Sequence, residues 1–142
     1  MAALVDSNIL VYRFDPRFPD KQRRAVALLK RGLADGSVRL PYQALVEFVA
    51  ATTRPGRSGG PSLLSREEAL HEAEEMLSLF PVLHPNDAHF RLAIRGAATY
   101  GLPWFDALIW AYAEHYGLPE IYSEDFDPAR LYGTVRVVNP FV

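Results

Sequence analysis

Short apolar segments alternate with longer amphipathic segments along the chain, and this alternation restricts the folds that it can adopt. Leu4-Val5 and residues 38–40, 121–123 and 135–138 are brief runs typical of buried strands. The segments between them carry apolar residues at helical spacing. This order predicts one α/β domain over residues 1–142, with a central, mainly parallel sheet of about four to five strands flanked by helices.

Capping residues mark several helix boundaries. Ser7 and Asn8 supply cap chemistry for a helix directly after the first strand. Pro19 favours a helix start, and Ser65 followed by Glu68 forms a capping box that predicts a helix to about residue 79. These residues therefore indicate where three of the predicted helices begin.

Four acidic residues lie inside or shortly after apolar segments. Asp6 and Asp125 follow predicted strands, whereas Glu47 and Asp106 lie within predicted helices and have no basic residue three or four positions away. A carboxylate among apolar groups loses hydration worth several kcal/mol unless it is protonated, paired or bound to a cation. Because parallel strands present their carboxyl ends at one edge, Asp6 and Asp125 are expected at the same edge of the sheet.

Each acid also has a simpler interpretation when it is taken alone. Asp6 could be a helix N-cap, Asp125 a turn residue, and Glu47 and Asp106 could be satisfied by distant arginines or backbone donors. Four separate explanations would then be needed, so the set favours a hard divalent cation such as Mg²⁺ or Mn²⁺. Zinc is disfavoured, because the chain has no cysteine and its four histidines lack metal-site spacing.

Composition limits the class of protein further. The absence of cysteine rules out a disulfide framework and indicates a reducing compartment. The first apolar run reaches Asp6 too soon for a signal peptide, and no apolar stretch is long enough for a membrane span. We therefore expect a cytoplasmic protein that does not enter a membrane.

Four motifs, in order along the chain, resemble those of the PIN-domain ribonucleases. They are residues 5–10 (VDSNIL), 41–48 (PYQALVEF), 104–109 (WFDALI) and 122–126 (YSEDF). Within that family the chain looks most like the VapC-type toxins of bacterial type II toxin–antitoxin pairs, and the closing residues 135–141 are similar to the end of one subgroup. Pro41 and Pro103 depart from the pattern, since serine is frequent at both positions.

The resemblance implies roles for individual residues. Asp6, Glu47, Asp106 and Asp125 match the metal-binding catalytic acids, and Asp127 is a possible further ligand. Asn8 and Ser123 match polar residues that support those ligands. Residues 13–39 hold eight bases and three acids, and five of the bases are candidate contacts to the RNA backbone: Arg13, Arg17, Lys21, Arg23 and Arg24.

The activity implied by the resemblance is Mg²⁺- or Mn²⁺-dependent hydrolysis of RNA by an endoribonuclease. An exposed aromatic such as Tyr12 would suit a single-stranded substrate. The implied partners are an RNA substrate, a cognate antitoxin protein and a second copy of the chain in a homodimer. Two alternatives remain open at this stage. One is a catalytically silent PIN scaffold that only binds a partner; the other is a receiver-like, Mg²⁺-binding signalling domain, which would normally need a lysine near the last strands.

Overall fold

The computed structural model describes residues 1–127 and 130–142. Helices and strands alternate as the sequence predicts, with a short 3₁₀ helix, Arg57–Gly59, between the third and fourth α-helices. The helices are α1 (Ser7–Tyr12), α2 (Pro19–Asp35), α3 (Tyr42–Thr53), α4 (Arg66–Leu79), α5 (Asp87–Tyr100) and α6 (Trp104–His115). The strands are β1 (Ala3–Val5), β2 (Val38–Pro41), β3 (Val82–Leu83), β4 (Glu120–Tyr122), β5 (Leu131–Tyr132) and β6 (Val135–Val138).

The six strands form one sheet in the order β3-β2-β1-β4-β6-β5. All neighbours pair in parallel except β5 and β6, which are antiparallel. The expected α/β fold with a mainly parallel sheet is confirmed, and the two-residue strand β5 is an addition that its sequence was too short to predict. The order also differs from the 2-1-3-4-5 order of receiver domains, so the receiver-like alternative is wrong at the level of the fold.

The sheet separates two apolar layers. Leu4 packs on the side of α5 and α6, whereas the next residue, Val5, packs on the side of α1 to α4. This follows from the strand geometry, in which successive side chains point to opposite faces. Both residues are fully buried, which explains why β1 is apolar throughout and does not alternate with polar residues.

Most of the predicted caps are present, with one correction. Ser65 and Glu68 form both bonds of the capping box. The N-cap of α1 is Asp6, which accepts a hydrogen bond from the Ser7 backbone N–H, so the cap chemistry begins one residue earlier than expected. Pro41 and Pro103 are the N-cap residues of α3 and α6 and make no side-chain cap bond. The two helices that carry Glu47 and Asp106 therefore start without the cap that a serine would supply.

No helix in the described ranges is long and apolar enough to cross a bilayer. The chain bends at residues 124–126, as expected for a turn at Asp125; Pro128, the last residue of that expected turn, lies outside the described residues.

Candidate functional site

Asp6 and Ser123 lie side by side at the carboxyl edge of the sheet. Strands β1 and β4 are parallel neighbours in the register Val5 to Tyr122, so the next residue of each strand meets the other. The Asp6 backbone N–H donates to the Tyr122 carbonyl at 3.0 Å, and the Ser123 hydroxyl donates to Asp6 Oδ2 at 2.7 Å. The expected meeting of residues from opposite ends of the chain is therefore a direct consequence of the sheet order.

Helix α1 brings Asn8 to the same edge. Asn8 Nδ2 donates to Ser123 Oγ at 3.2 Å and to Asp125 Oδ2 at 3.0 Å. The Asp125 backbone N–H also donates to Ser123 Oγ, at 3.1 Å. Asn8 and Ser123 thus contact the acids as the resemblance implied, and Asp125 is tied to Asp6 through a single shared hydroxyl.

Glu47 and Asp106 approach this edge from α3 and α6. Both side chains are partly buried, whereas Asp125 is exposed. Gln43, one turn before Glu47, donates to the Phe105 carbonyl at 3.3 Å and so links the two helices beside their acids. The four carboxylates come from four separate segments of the chain, which is why only the folded structure brings them together.

The electrostatics show how near the carboxylates are to one another. Burial raises the pKa of Asp6 from 3.8 to about 7, and the charges of Asp125 and Glu47 add to the increase, against hydrogen bonds from Ser123 and Ser7 that lower it. Burial and the same two charges raise the pKa of Asp106 to about 6. Burial also raises the pKa of Glu47, again with Asp125 adding to it, although neighbouring Gln43 and Ser7 partly offset the shift.

No lysine or arginine among the described residues contributes to these three shifts. The edge of the sheet therefore concentrates negative charge without an internal counter-ion, which is unfavourable until a cation or protons neutralise it. Within residues 1–127 and 130–142, however, no group of three or more acidic or histidine side chains is close enough together to hold an ion as they now lie.

The chemistry of the donors fits a hard cation all the same. The available groups are carboxylate, hydroxyl and amide oxygens, which Mg²⁺ and Mn²⁺ prefer. Asn8 Oδ1 is buried and has no hydrogen-bond partner in the described part of the protein. A buried polar atom without a partner is costly, and one beside a set of carboxylates is a further oxygen available to an ion or its water.

Asp127 is placed differently from the four acids. Its side chain is exposed and lies 3.3 Å from Arg130 Nη1 in an ion pair. It is not among the charges that raise the pKa of Asp6, Glu47 or Asp106. The structure therefore does not bring Asp127 into the cluster, and its role as a further ligand stays a prediction.

The five candidate RNA contacts do not form one continuous patch of free charge. Arg17 makes an ion pair with Asp15 at 2.8 Å, and Arg23 pairs with Asp20. Arg24 donates to the Pro140 carbonyl at 3.2 Å, and the Arg13 guanidinium lies 5.0 Å from the centre of the Phe14 ring. A cavity of about 320 Å³ is lined by Asp20, Lys21, Arg23, Arg24 and Phe141.

Tyr12 and Glu124 lie beside the acids, although the sequence motifs assign neither of them a role there. Tyr12 donates its hydroxyl proton to Glu124 Oε1 at 2.6 Å, and its ring packs edge to face against Phe18 and Phe141. Tyr12 is partly buried, so the expectation that it is exposed and free to stack on RNA is wrong. Asn8 and Tyr12 are four residues apart, which puts both on one face of α1. This spacing is the sequence signal that could have placed Tyr12 beside the acids.

Comparison with known proteins identifies the family of the chain. The PIN domain family matches residues 3–133. No curated protein sequence matches the chain.

Among solved structures, a chain of a toxin–antitoxin complex from Klebsiella pneumoniae is similar with a TM-score of 0.69 and 19% identity, over 98% of each chain. FitAcB from Neisseria gonorrhoeae has a TM-score of 0.68 and 22% identity, also over 98% of each chain. VapC20 of Mycobacterium tuberculosis, described as a sarcin-ricin loop cleaving toxin, has a TM-score of 0.61 and 19% identity, over 89% of this chain and 92% of that one. At these identities the likeness concerns the fold.

Proposed function

The chain belongs to the PIN domain family, and on that basis we propose that it is a metal-dependent endoribonuclease that hydrolyses phosphodiester bonds of RNA. The observation that carries the proposal is the edge of the sheet where Asp6, Glu47 and Asp106 have raised pKa values and Asp125 adds to each increase. Such an edge is suited to a divalent cation and, with it, to a phosphate group.

Mg²⁺ or Mn²⁺, when bound, would supply an activated water and would neutralise charge on the phosphate. The residues of the chain orient the ligands for that ion. Asp6 is held at both oxygens, by the Ser7 N–H at 2.7 Å and by the Ser123 hydroxyl at 2.7 Å. Asn8 holds Asp125, and the helices α3 and α6 bring Glu47 and Asp106 from the other side. No serine, cysteine or histidine nucleophile is needed for this hydrolysis.

The test is cleavage of a single-stranded RNA by the purified protein with and without Mg²⁺ or Mn²⁺. We expect cleavage only with the metal, loss of cleavage in Asp6→Asn, and full activity in the control Asp87→Asn, which alters an exposed aspartate on α5. Calorimetric titration with Mn²⁺ should show binding to the wild type and weaker binding to Asp6→Asn. Cleavage that persists in EDTA would contradict the metal mechanism.

We further propose that the protein is the toxin of a toxin–antitoxin pair, acting in the cytoplasm as a homodimer. Support for the toxin role comes from the solved structures of similar fold, which include toxin–antitoxin complexes from several bacteria. Expression of the wild type should arrest bacterial growth, expression of Asp6→Asn should not, and a small DNA-binding protein encoded beside the gene should restore growth. If no such neighbour exists and growth continues, a nuclease without a toxin role is favoured.

The separation of the carboxylates favours a second candidate, a PIN scaffold that binds a partner without catalysis. In the described ranges the acids are near enough to repel one another but do not form a ready ion site. The two candidates predict different results in the Mn²⁺ titration. A silent scaffold should show no Mn²⁺ binding that depends on Asp6.

A further inference from the structure

The segment that carries Asp125 is held from two sides. Ser123 donates to Asp6 on one side. On the other side the neighbouring Glu124 contacts α1 and α2: its Oε1 accepts from the Tyr12 hydroxyl at 2.6 Å, and its Oε2 accepts from Lys21 Nζ at 2.9 Å. Glu124 lies directly between Ser123, which contacts Asp6, and Asp125, so its position constrains both of them.

The Lys21–Glu124 pair is more sheltered than an ordinary surface ion pair. The two side chains are 35% and 22% exposed. Lys21 Nζ also donates to the Tyr12 hydroxyl oxygen at 3.2 Å, and it lies 4.8 Å from the centre of the Tyr12 ring and 5.6 Å from the centres of two further rings, Phe18 and Phe141. Charge-assisted hydrogen bonds and cation–π contacts are stronger where water is partly excluded.

Lys21 is therefore engaged within the protein. Its ammonium group has three donors, and Glu124 and Tyr12 accept from it, so at most one donor is left for a phosphate of RNA. The exposed Arg23 and Arg24, on the same helix, have no such enclosure.

Helix α1 connects this arrangement to the site. Asn8 and Tyr12 are one turn apart on α1; Asn8 donates to Asp125 and to Ser123, and Tyr12 donates to Glu124. All three residues of segment 123–125 thus have a partner on one face of α1, either Asn8 or Tyr12. Among the described residues, Lys21 on α2 is the one cation that forms an ion pair with Glu124.

We propose that Lys21 and Tyr12 are positioning residues: they hold Glu124 and thereby orient Asp125 toward Asp6, and Lys21 is not a contact to the RNA backbone. The catalytic consequence rests on the proposed nuclease function, whereas the structural consequence does not.

The first test needs no activity. Amide hydrogen exchange reports local opening, and the Asp125 N–H, which donates to Ser123 Oγ, reports on this segment. Lys21→Met keeps the aliphatic stem but removes the charge, and Tyr12→Phe removes only the hydroxyl. We expect each to speed exchange at Asp125 by about tenfold, because a hydrogen bond to a charged group is lost. The control Lys30→Met removes an exposed lysine from the same helix and should leave the rate unchanged.

The second test separates positioning from RNA contact by kinetics with Mg²⁺ and a short single-stranded RNA. Positioning predicts that Lys21→Met and Tyr12→Phe lower kcat by about tenfold or more with little change in KM. Glu124→Gln removes a negative charge and should improve RNA binding on electrostatic grounds, yet it should lower kcat in the same way. Lys21→Arg, which keeps the cation, should recover most of the activity.

Opposite results would overturn the proposal. If Lys21→Met raises KM, reduces the salt dependence of RNA binding and leaves kcat and Asp125 exchange as in the wild type, Lys21 is a phosphate contact. If the wild type does not cut RNA at all, the nuclease function fails, but the exchange rates at Asp125 still decide whether Lys21 and Tyr12 hold the segment.

Discussion

Replacing Asp6 with asparagine should stabilise the metal-free protein at neutral and alkaline pH, although it removes the central acid of the site. Asp6 is 3% exposed and its pKa is raised from 3.8 to about 7, first by burial and then by Asp125 and Glu47. A carboxyl whose pKa is higher in the folded chain binds more protons there than in the unfolded chain. The free energy of unfolding therefore falls as the pH rises between the two values.

The size of the effect follows from that change in pKa. At about 1.36 kcal/mol per pH unit, the ionised Asp6 costs about 4 kcal/mol of stability at about pH 8. At about pH 5 the side chain is mostly protonated in the folded state, and the cost is only about 2 kcal/mol. The amide introduced by Asp6→Asn must accommodate the Ser123 hydroxyl that donates to the carboxylate, but the cost of doing so is nearly the same at both pH values. The advantage of Asp6→Asn should thus grow by about 2–3 kcal/mol from about pH 5 to about pH 8.

Urea unfolding in EDTA, followed by circular dichroism at both pH values, measures this difference. The matched control is Glu74→Gln, which neutralises an exposed carboxylate on α4 and should show no such growth with pH. Added Mn²⁺ should reverse the order by stabilising the wild type alone. A difference between wild type and Asp6→Asn that does not change with pH would refute the argument that burial and like charge act on Asp6.

Three further outcomes are expected. Gly96→Ala should destabilise the protein by about 1–3 kcal/mol in urea unfolding, despite the gain in helix propensity, because the added Cβ would overlap the buried ring of Trp110. A more stable variant would contradict this packing. Burial lowers the pKa of His89 below 6.5. The neutral side chain therefore stabilises the fold above about pH 6.5, and this stabilisation is lost as the pH falls. His89→Gln should show a smaller loss of stability on acidification than the wild type. Replacing both Arg23 and Arg24 with glutamine should weaken RNA binding and flatten its salt dependence, whereas unchanged affinity would assign them to the solvated surface.

Features of the chain that depend on neighbours in sequence could be predicted well. The capping box of Ser65 and Glu68 and the helix end at Gly36, where φ is +71°, are set by residues within one turn of each other. The alternation of buried strands and helices, and the unusual position of Asp6 after an apolar run, are likewise visible in the sequence. They were sufficient to predict an α/β sheet with acids at one edge.

Pairings between distant residues could not be obtained in the same way. Asp6 meets Ser123 across 117 positions because β1 and β4 are neighbours in a particular register. Lys21 was a candidate RNA contact on charge alone, and only the folded chain shows it enclosed beside Glu124.

The sequence by itself therefore determined most of the helices and strands and which acids are costly to bury, since periodicity, caps and the cost of a buried charge are local properties. The tertiary structure alone decided which acids face one another and which bases remain free. Those relations depend on strand order and on helix packing, which place residues from opposite ends of the chain within hydrogen-bond distance.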